Sequence, residues 1–134
     1  MMYLDALRPD DAPQMIRLAL ANGQTAWTYT AGAHGIVVRD GDLIRGFCLL
    51  RETSAGFVVD ELWADVPNGR RGKLALGMLA RWLEAEMQRS ADERSTIVKL
   101  GGIVRLDNPR HRRALTNRGF VPVAEVLAKE FYPT

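Results

Sequence analysis

Residues 56–82 read GFVVDELWADVPNGRRGKLALGMLARW, and the order of local signals along this stretch decides the fold. Phe57 to Ala64 is apolar and β-branched enough for a buried strand, interrupted only by two acids, Asp60 and Glu61. Pro67-Asn68-Gly69 breaks the strand. Arg70-Arg71-Gly72-Lys73 then leads into a helix, expected from Lys73 to about Arg89, whose apolar positions Leu74, Met78, Leu79, Trp82 and Leu83 recur at helical spacing. A strand therefore feeds a basic, glycine-bearing turn that opens a helix. The first N–H groups of a helix lack intrahelical partners and carry the positive end of its dipole, so such a turn suits a phosphate. Arg70, Arg71 and Lys73 add formal charge there.

The flanking sequence supplies neighbours for that strand. Met2 to Leu7 reads as a strand, followed by a helix in which Asp11 and Gln14 form a capping box, Pro13 sits in the first turn, and Met15, Ile16, Ala19 and Leu20 make the buried stripe. Asn22-Gly23 ends it, and Gln24 to Gly35, with Trp27 and Tyr29, reads as a loop whose aromatics are local anchors. Ile36 to Arg39 and Leu43 to Arg51 are strands joined at Asp40-Gly41-Asp42, a hairpin signal expected to need positive φ at both central residues. Thr53 to Gly56 turns the chain back into the central strand. After the long helix, Ile97 to Val104 is expected to run parallel to that strand. Gly101-Gly102 inside it suggests a bulge or the close approach of another backbone or ligand. Asn108-Pro109 starts a last helix that Gly119 ends, and Val121 to Phe131 reads as a closing strand. The expected architecture is one α/β domain with a mixed sheet over residues 1–134, in the order β-α-β-β-β-α-β-α-β.

Composition agrees with such a domain. Of 134 residues, 47% are apolar, enough for a core of ordinary size. A net charge of +2 is too weak to demand a nucleic-acid partner, though it is compatible with an anionic ligand. Cys48, the sole cysteine, lies in an apolar run, which excludes an internal disulfide and fits a reducing compartment. No amino-terminal targeting pattern or membrane-length apolar run stands out, so a cytoplasmic location without membrane contact is the expectation. His34 has no discernible partner, and no cluster with metal-ligand spacing exists, so no metal is expected.

Two motifs carry a resemblance. Glu61-Leu62-Trp63-Ala64 and the turn after it resemble the central motif of the GNAT superfamily of N-acyltransferases, a strand of type E-L-x-V followed by Q/R-x-x-G-x-G/A and a helix. One register, Gly69 to Leu74, keeps the middle glycine as Gly72. The other, Arg70 to Ala75, keeps both ends, places Lys73 at the middle glycine, and aligns Met78 and Leu79 with the family's apolar pair; it is preferred. Asn108 and Gly119-Phe120 resemble the family's N-x-x-A and G-F signature around its last helix, with His111 in place of alanine and Leu115 in place of the tyrosine that commonly protonates the departing thiolate. The resemblance implies an acyl-CoA-dependent N-acyltransferase with acetyl-CoA, or another acyl-CoA, as co-substrate. Leu62, Trp63, Ala64, Arg70, Arg71, Gly72, Lys73, Leu74, Ala75 and Asn108 would bind the coenzyme, and a small-molecule or protein amine would accept the acyl group. A homodimer is compatible with it.

The chemistry sets its own requirements. An amine must lose its ammonium proton before it can attack a thioester, so a base is needed. Asp60 and Glu61 are the candidates. Simple alternation points them to opposite faces, Glu61 with Trp63 and Asp65, Asp60 with Leu62 and Ala64, so only one can face the cleft. Glu61 is favoured because its position resembles acidic positions that serve some members of the family as the base. His111, near a helix start, is a third candidate, kept neutral by the dipole. The competing explanations are a solvated or salt-bridged role for either acid and a capping role for His111. Two alternatives to an enzyme stay open. One is a weak or inactive acyl-CoA-binding module, because both motifs are eroded. The other is a nucleic-acid surface built from the clustered arginines, which the lack of interleaved aromatics argues against.

Overall fold

The computed structural model describes residues 1–23, 34–54, 56–65, 69–102, 109–123, 129 and 131–133, except for the side chains of Arg110 and His111. They belong to two compact units, Met1–Gly102 and Ile103–Thr134. In the first, β1 (Met2–Ala6), β2 (His34–Asp40), β3 (Leu43–Thr53), β4 (Gly56–Ala64) and β5 (Lys99–Gly102) form one sheet in that spatial order. The β1 to β4 pairs are antiparallel, and β5 joins β4 in parallel. A parallel neighbour needs a crossover, which α2 (Arg70–Arg94) supplies.

Alternation along β2 and β3 sorts the core into two layers. Val37, Ile44, Phe47 and Leu49 pack with Met15, Leu18 and Ala19 of α1 (Ala12–Ala21), while Val38, Cys48 and Leu50 pack with Ala75, Leu79 and Leu83 of α2. The buried stripe of α1 thus includes Leu18, and Leu20, expected inside, is exposed. The hairpin turn is Gly41-Asp42, between the paired Asp40 and Leu43. Only Gly41 has positive φ (63°), which corrects the expectation for both residues and fits the turn type that places glycine first.

Asp11 and Gln14 do different work from the capping box expected of them. Asp11 closes a 3₁₀ turn at Pro9–Asp11, accepting the Arg8 amide at 2.8 Å and the Arg39 guanidinium at 2.8 Å from both Nη1 and Nη2. Arg39 also donates from Nε to Asp5 at 2.5 Å and from Nη2 to the Ala6 carbonyl at 3.1 Å. One buried arginine therefore ties β1, the 3₁₀ turn and β2 together. Gln14 instead clamps the hairpin to α1, donating to the Asp42 carbonyl at 2.9 Å and accepting the Ile44 amide at 3.0 Å. The Arg39 hydrogen bond, with the Ala6 amide, holds the Asp5 carboxyl below its ordinary range. At Asp11 burial pushes upward, but the hydrogen bonds from Arg39 and Arg8 outweigh it and the net shift is down.

The parallel pairing depends on Gly56, the first residue of β4. Its φ is +153°, and a Cβ there would lie 2.1 Å from the Lys99 carbonyl oxygen. Gly101 and Gly102 do not repeat that crowding. Among the described residues a Cβ on Gly101 would meet only Val58 Cγ2, at 3.9 Å, and one on Gly102 nothing, so the close backbone approach expected there is absent.

In the second unit, α3 (Pro109–Thr116) ends as its sequence anticipates. Gly119 has φ +91°, and the Phe120 amide reaches back to the Leu115 carbonyl at 3.1 Å. The closing strand expected over Val121 to Phe131 does not form in its described part: Val121–Val123, Lys129 and Phe131 are irregular, and residues 124–128 and 130 lie outside the described residues. Val121, Val123 and Phe131 are exposed, so their alternation obtains no burial.

Two stability outcomes follow from these contacts. Arg39→Leu leaves the Asp11 carboxylate buried without its partner and should cost about 3–5 kcal/mol in urea unfolding. Because Asp5 and Asp11 have folded-state pKa values below the unfolded carboxylate value of 3.8, the wild-type protein should keep their contribution above that pH and lose it as pH falls further. The Arg39→Leu protein should show a flatter acid limb. Gly56→Ala should cost about 2–4 kcal/mol, since the methyl group meets backbone that cannot step aside.

Candidate functional site

β4 follows β3 in register up to a bulge. Leu50 pairs with Val59 and Leu49 with Glu61, so Asp60 is an extra residue with no partner opposite it. The bulge overturns simple alternation. Val59 and Leu62 pack in the α2 layer, whereas Glu61 stands opposite Leu49 and Trp63 opposite Phe47, both in the α1 layer. Asp60 does not join Leu62 against α2; its exposed carboxylate pairs with Arg51 at 3.3 Å. Glu61 is half-buried and accepts a hydrogen bond from the Trp63 indole N–H, which fixes the orientation of its carboxylate. Glu61 and Trp63 therefore share a face as expected, and Asp60 occupies a separate ion pair.

The bulge coincides with the end of the described β4–β5 pairing. The last described partners are Val59 and Gly102, and β4 extends through Ala64. The backbone of residues 60–64 toward β5 thus has no strand partner among the described residues.

Beyond Asp65 the chain enters α2 three residues earlier than the apolar pattern indicates, with Arg70 as its first helical residue. Gly69 precedes it at φ 84°, a conformation that favours glycine, and no side chain caps the helix. The Lys73 amide makes the first intrahelical bond, to the Gly69 carbonyl at 3.2 Å. The amides of Arg70, Arg71 and Gly72 precede that first bond, beside three cations and no acid in the first turn. Positive charge at this end opposes the dipole, at about 0.3–1 kcal/mol per exposed cation. An anion at the same place reverses the sign. Gly72 and Ala75 are buried against the sheet side, and Leu74 is exposed.

Not every cation at this turn is free. Arg71 Nη1 lies 2.5 Å from Asp40 Oδ2, at the end of β2. Arg45, the unpaired residue of a second bulge between β2 and β3, contacts Asp40 at 3.3 Å and Asp65 at 2.9 Å. The arginine pair Arg70 and Arg71 is visible in the sequence, but Asp40, Arg45 and Asp65 are not: they look like hairpin and loop residues, and only the register brings them to the start of α2.

Asn108 lies outside the described residues, as do Trp27, Tyr29 and the His111 side chain. His34, expected to have no partner, sits against Trp82 with ring centroids 6.4 Å apart. Burial pushes the Cys48 thiol up to about 12, so it is an inert core residue. A shallow pocket at the C-terminal half of α2, lined by His34, Glu52, Phe57, Arg89, Ser90 and Arg94, is a different surface, its arginines already paired to Glu86, Glu93 and Glu52. No described helix is long and apolar enough to cross a membrane.

No protein-family model matches the chain, and no curated protein matches it in sequence. Solved structures do. The ribosomal-protein-S18-alanine N-acetyltransferase of Escherichia coli superposes with a TM-score of 0.75 at 14% identity, covering 92% of this chain and 80% of that one. Ard1 from Thermoplasma volcanium gives 0.70 at 17% identity, covering 92% and 84%. AAC(6')-Iy, solved with the bisubstrate analog CoA-S-monomethyl-acetylneamine, gives 0.64 at 10% identity, covering 99% of both chains. The chain has the GNAT acetyltransferase fold. The mixed sheet, β4 and the basic turn that opens α2 stand in the order expected from the sequence, while the bulge in β4 was not expected.

Proposed function

We propose that the chain is a single-domain member of the GNAT superfamily that transfers an acyl group, acetyl by default, from acyl-CoA to a primary amine. The observation that carries this reading is the start of α2. Three amides ahead of the first intrahelical bond and the cations Arg70, Arg71 and Lys73 converge, with no acidic cap, directly after the strand bearing Glu61. Such an arrangement is unfavourable by itself and becomes favourable around a pyrophosphate. Lys73, where the preferred register has a glycine, adds charge and restricts how closely a phosphate approaches. Leu62, Trp63 and Ala64, whose β5-side edge has no strand partner among the described residues, would bind the pantetheine arm. Asn108 belongs to the same reading through the motif alone.

In the transfer, the amine nitrogen bonds to the thioester carbon and the carbon–sulfur bond breaks, releasing the coenzyme thiolate. The ammonium proton leaves first, and Glu61 takes it, directly or through water, with Trp63 holding the carboxylate in place. β4 amides past the bulge stabilise charge on the carbonyl oxygen. The thiolate is a weak base, with a thiol pKa of about 8.5, so the leucine at position 115 need not abolish turnover. Leu115 nonetheless favours one second reading, an acyl-CoA-binding module with little activity. The acceptor is a small molecule or a protein amine.

Calorimetry should show coenzyme A binding to the wild-type chain, weakened by joint replacement of Arg71 and Lys73 with alanine, by a factor that shrinks as salt rises. No heat at millimolar ligand would remove the coenzyme reading. Glu61→Gln should lower turnover by about 10²- to 10⁴-fold at neutral pH with coenzyme affinity nearly unchanged, the deficit shrinking at high pH where free amine is abundant. Asp60→Asn should act weakly, because it breaks only an exposed ion pair. Tight coenzyme binding without turnover of any amine would select the binding-module reading.

A further inference from the structure

The turn between β4 and α2 is flanked by a chain of alternating charges. Asp65 directly follows β4, Arg45 reaches it at 2.9 Å and Asp40 at 3.3 Å, and Asp40 Oδ2 takes Arg71 Nη1 at 2.5 Å in the first turn of α2. The Asp65 amide also donates to the Arg45 carbonyl at 2.8 Å. The three inner side chains are 10–19% exposed, and Arg71 is 63% exposed. Arg71 therefore spends one nitrogen on a carboxylate that Arg45 already holds in place. Its Nε and Nη2 carry no hydrogen bond or ion pair among the described residues. A guanidinium is a rigid fork that can serve two acceptors at once, and an arginine pinned along one edge has less rotamer freedom to lose when the other edge is engaged.

We infer that Asp40 is a positioning residue for the phosphate-binding turn: with Arg45 and Asp65 it pins one edge of Arg71 to the β2–β3 hairpin and leaves the other edge for the phosphate. The inference rests on the coenzyme reading above. Asp40 itself touches no ligand. The Arg71 hydrogen bond, more than burial opposes it, keeps the Asp40 carboxyl below its ordinary range, so it stays ionised throughout neutral pH. Removing a negative charge near a polyanion should by simple attraction tighten binding; a positioning role demands the reverse.

The test is a double-mutant cycle on coenzyme A binding, read by calorimetry, with thermal melts to confirm folding. Asp40→Asn keeps the shape and an acceptor for Arg45 but loses the charge-assisted hold on Arg71, and should weaken coenzyme A binding about three- to tenfold. In an Arg71→Ala background the same change should produce no weakening. Unchanged or tighter binding by Asp40→Asn alone, or an equal loss with and without Arg71, overturns the inference while leaving the coenzyme reading intact. Should Asp40→Asn fail to fold, Arg71→Lys serves. It retains the charge but offers a compact point donor in place of the fork, so it should lose at least as large a factor; wild-type affinity in that variant overturns the inference. A wild-type chain that does not bind coenzyme A overturns both.

Discussion

Among the described residues, β4 meets two neighbours for the first part of its length and one for the rest. Up to Val59 it is bonded to β3 and β5; from the Asp60 bulge onward its described pairing is with β3 alone. A bulge adds a residue and strengthens local twist, which is how a strand leaves one partner without leaving the other. The core survives the change because Leu62 returns to the α2 layer and Trp63 to the α1 layer immediately afterwards. Past the bulge the β4 backbone toward β5 has no strand partner among the described residues, and backbone is the one group that can bind an amide-rich ligand without committing a side chain. The glycine at 56 serves the opposite end of the strand, allowing β5 to approach where pairing must be close.

The start of α2 is the second departure from a locally optimal sequence. A helix designed for stability would carry an acid or a hydroxyl before its first turn; this one carries Gly69 and then three cations. Elsewhere on the same helix the usual rules hold: Arg89 pairs with Glu86 at i,i+3 and Glu93 at i,i+4, and Arg94 occupies the last turn. A conflict confined to one end of an otherwise consistent element is the pattern expected where binding, not folding, chose the residues.

Element order was legible because each boundary carries chemistry of its own: Asp40-Gly41-Asp42 for the hairpin, Asn22-Gly23 and Gly119 for helix ends, and a glycine-bearing basic turn before the long helix. Three features were not. The bulge hides inside Val58-Val59-Asp60-Glu61-Leu62, which reads as plain alternation because nothing in the residue types marks which acid is surplus. Asp11 resembles an N-cap, yet the buried guanidinium of Arg39, 28 positions away, competes for its carboxylate and wins. The full length of α2 was underestimated at both ends. Its first turn lacks a cap, and its last residue before the loop, Ser95, takes the left-handed conformation (φ 52°) that a glycine would have announced. Glu61 was nominated as a candidate from its motif, whereas the placement of Asp40 and Arg45 depends on strand register and carries no local signal.

Charge bookkeeping also bears on the alternative that the sequence raises, a surface of the clustered cations Arg70, Arg71, Lys73, Arg105, Arg110, Arg112, Arg113 and Arg118. The arginines outside that cluster are largely compensated. Arg39, Arg45, Arg51, Arg89 and Arg94 each face a carboxylate of their own chain. Those five therefore add little positive field, and attraction to phosphates is strongest where cations are uncompensated. Arg70 and Lys73 at the start of α2 are exposed, and no ion pair engages either among the described residues. They also flank amides left open by the absence of a cap. A short, multiply charged phosphate group matches a footprint of one helical turn; a nucleic-acid backbone needs a track. The start of α2 thus suits a compact anion at one helix end.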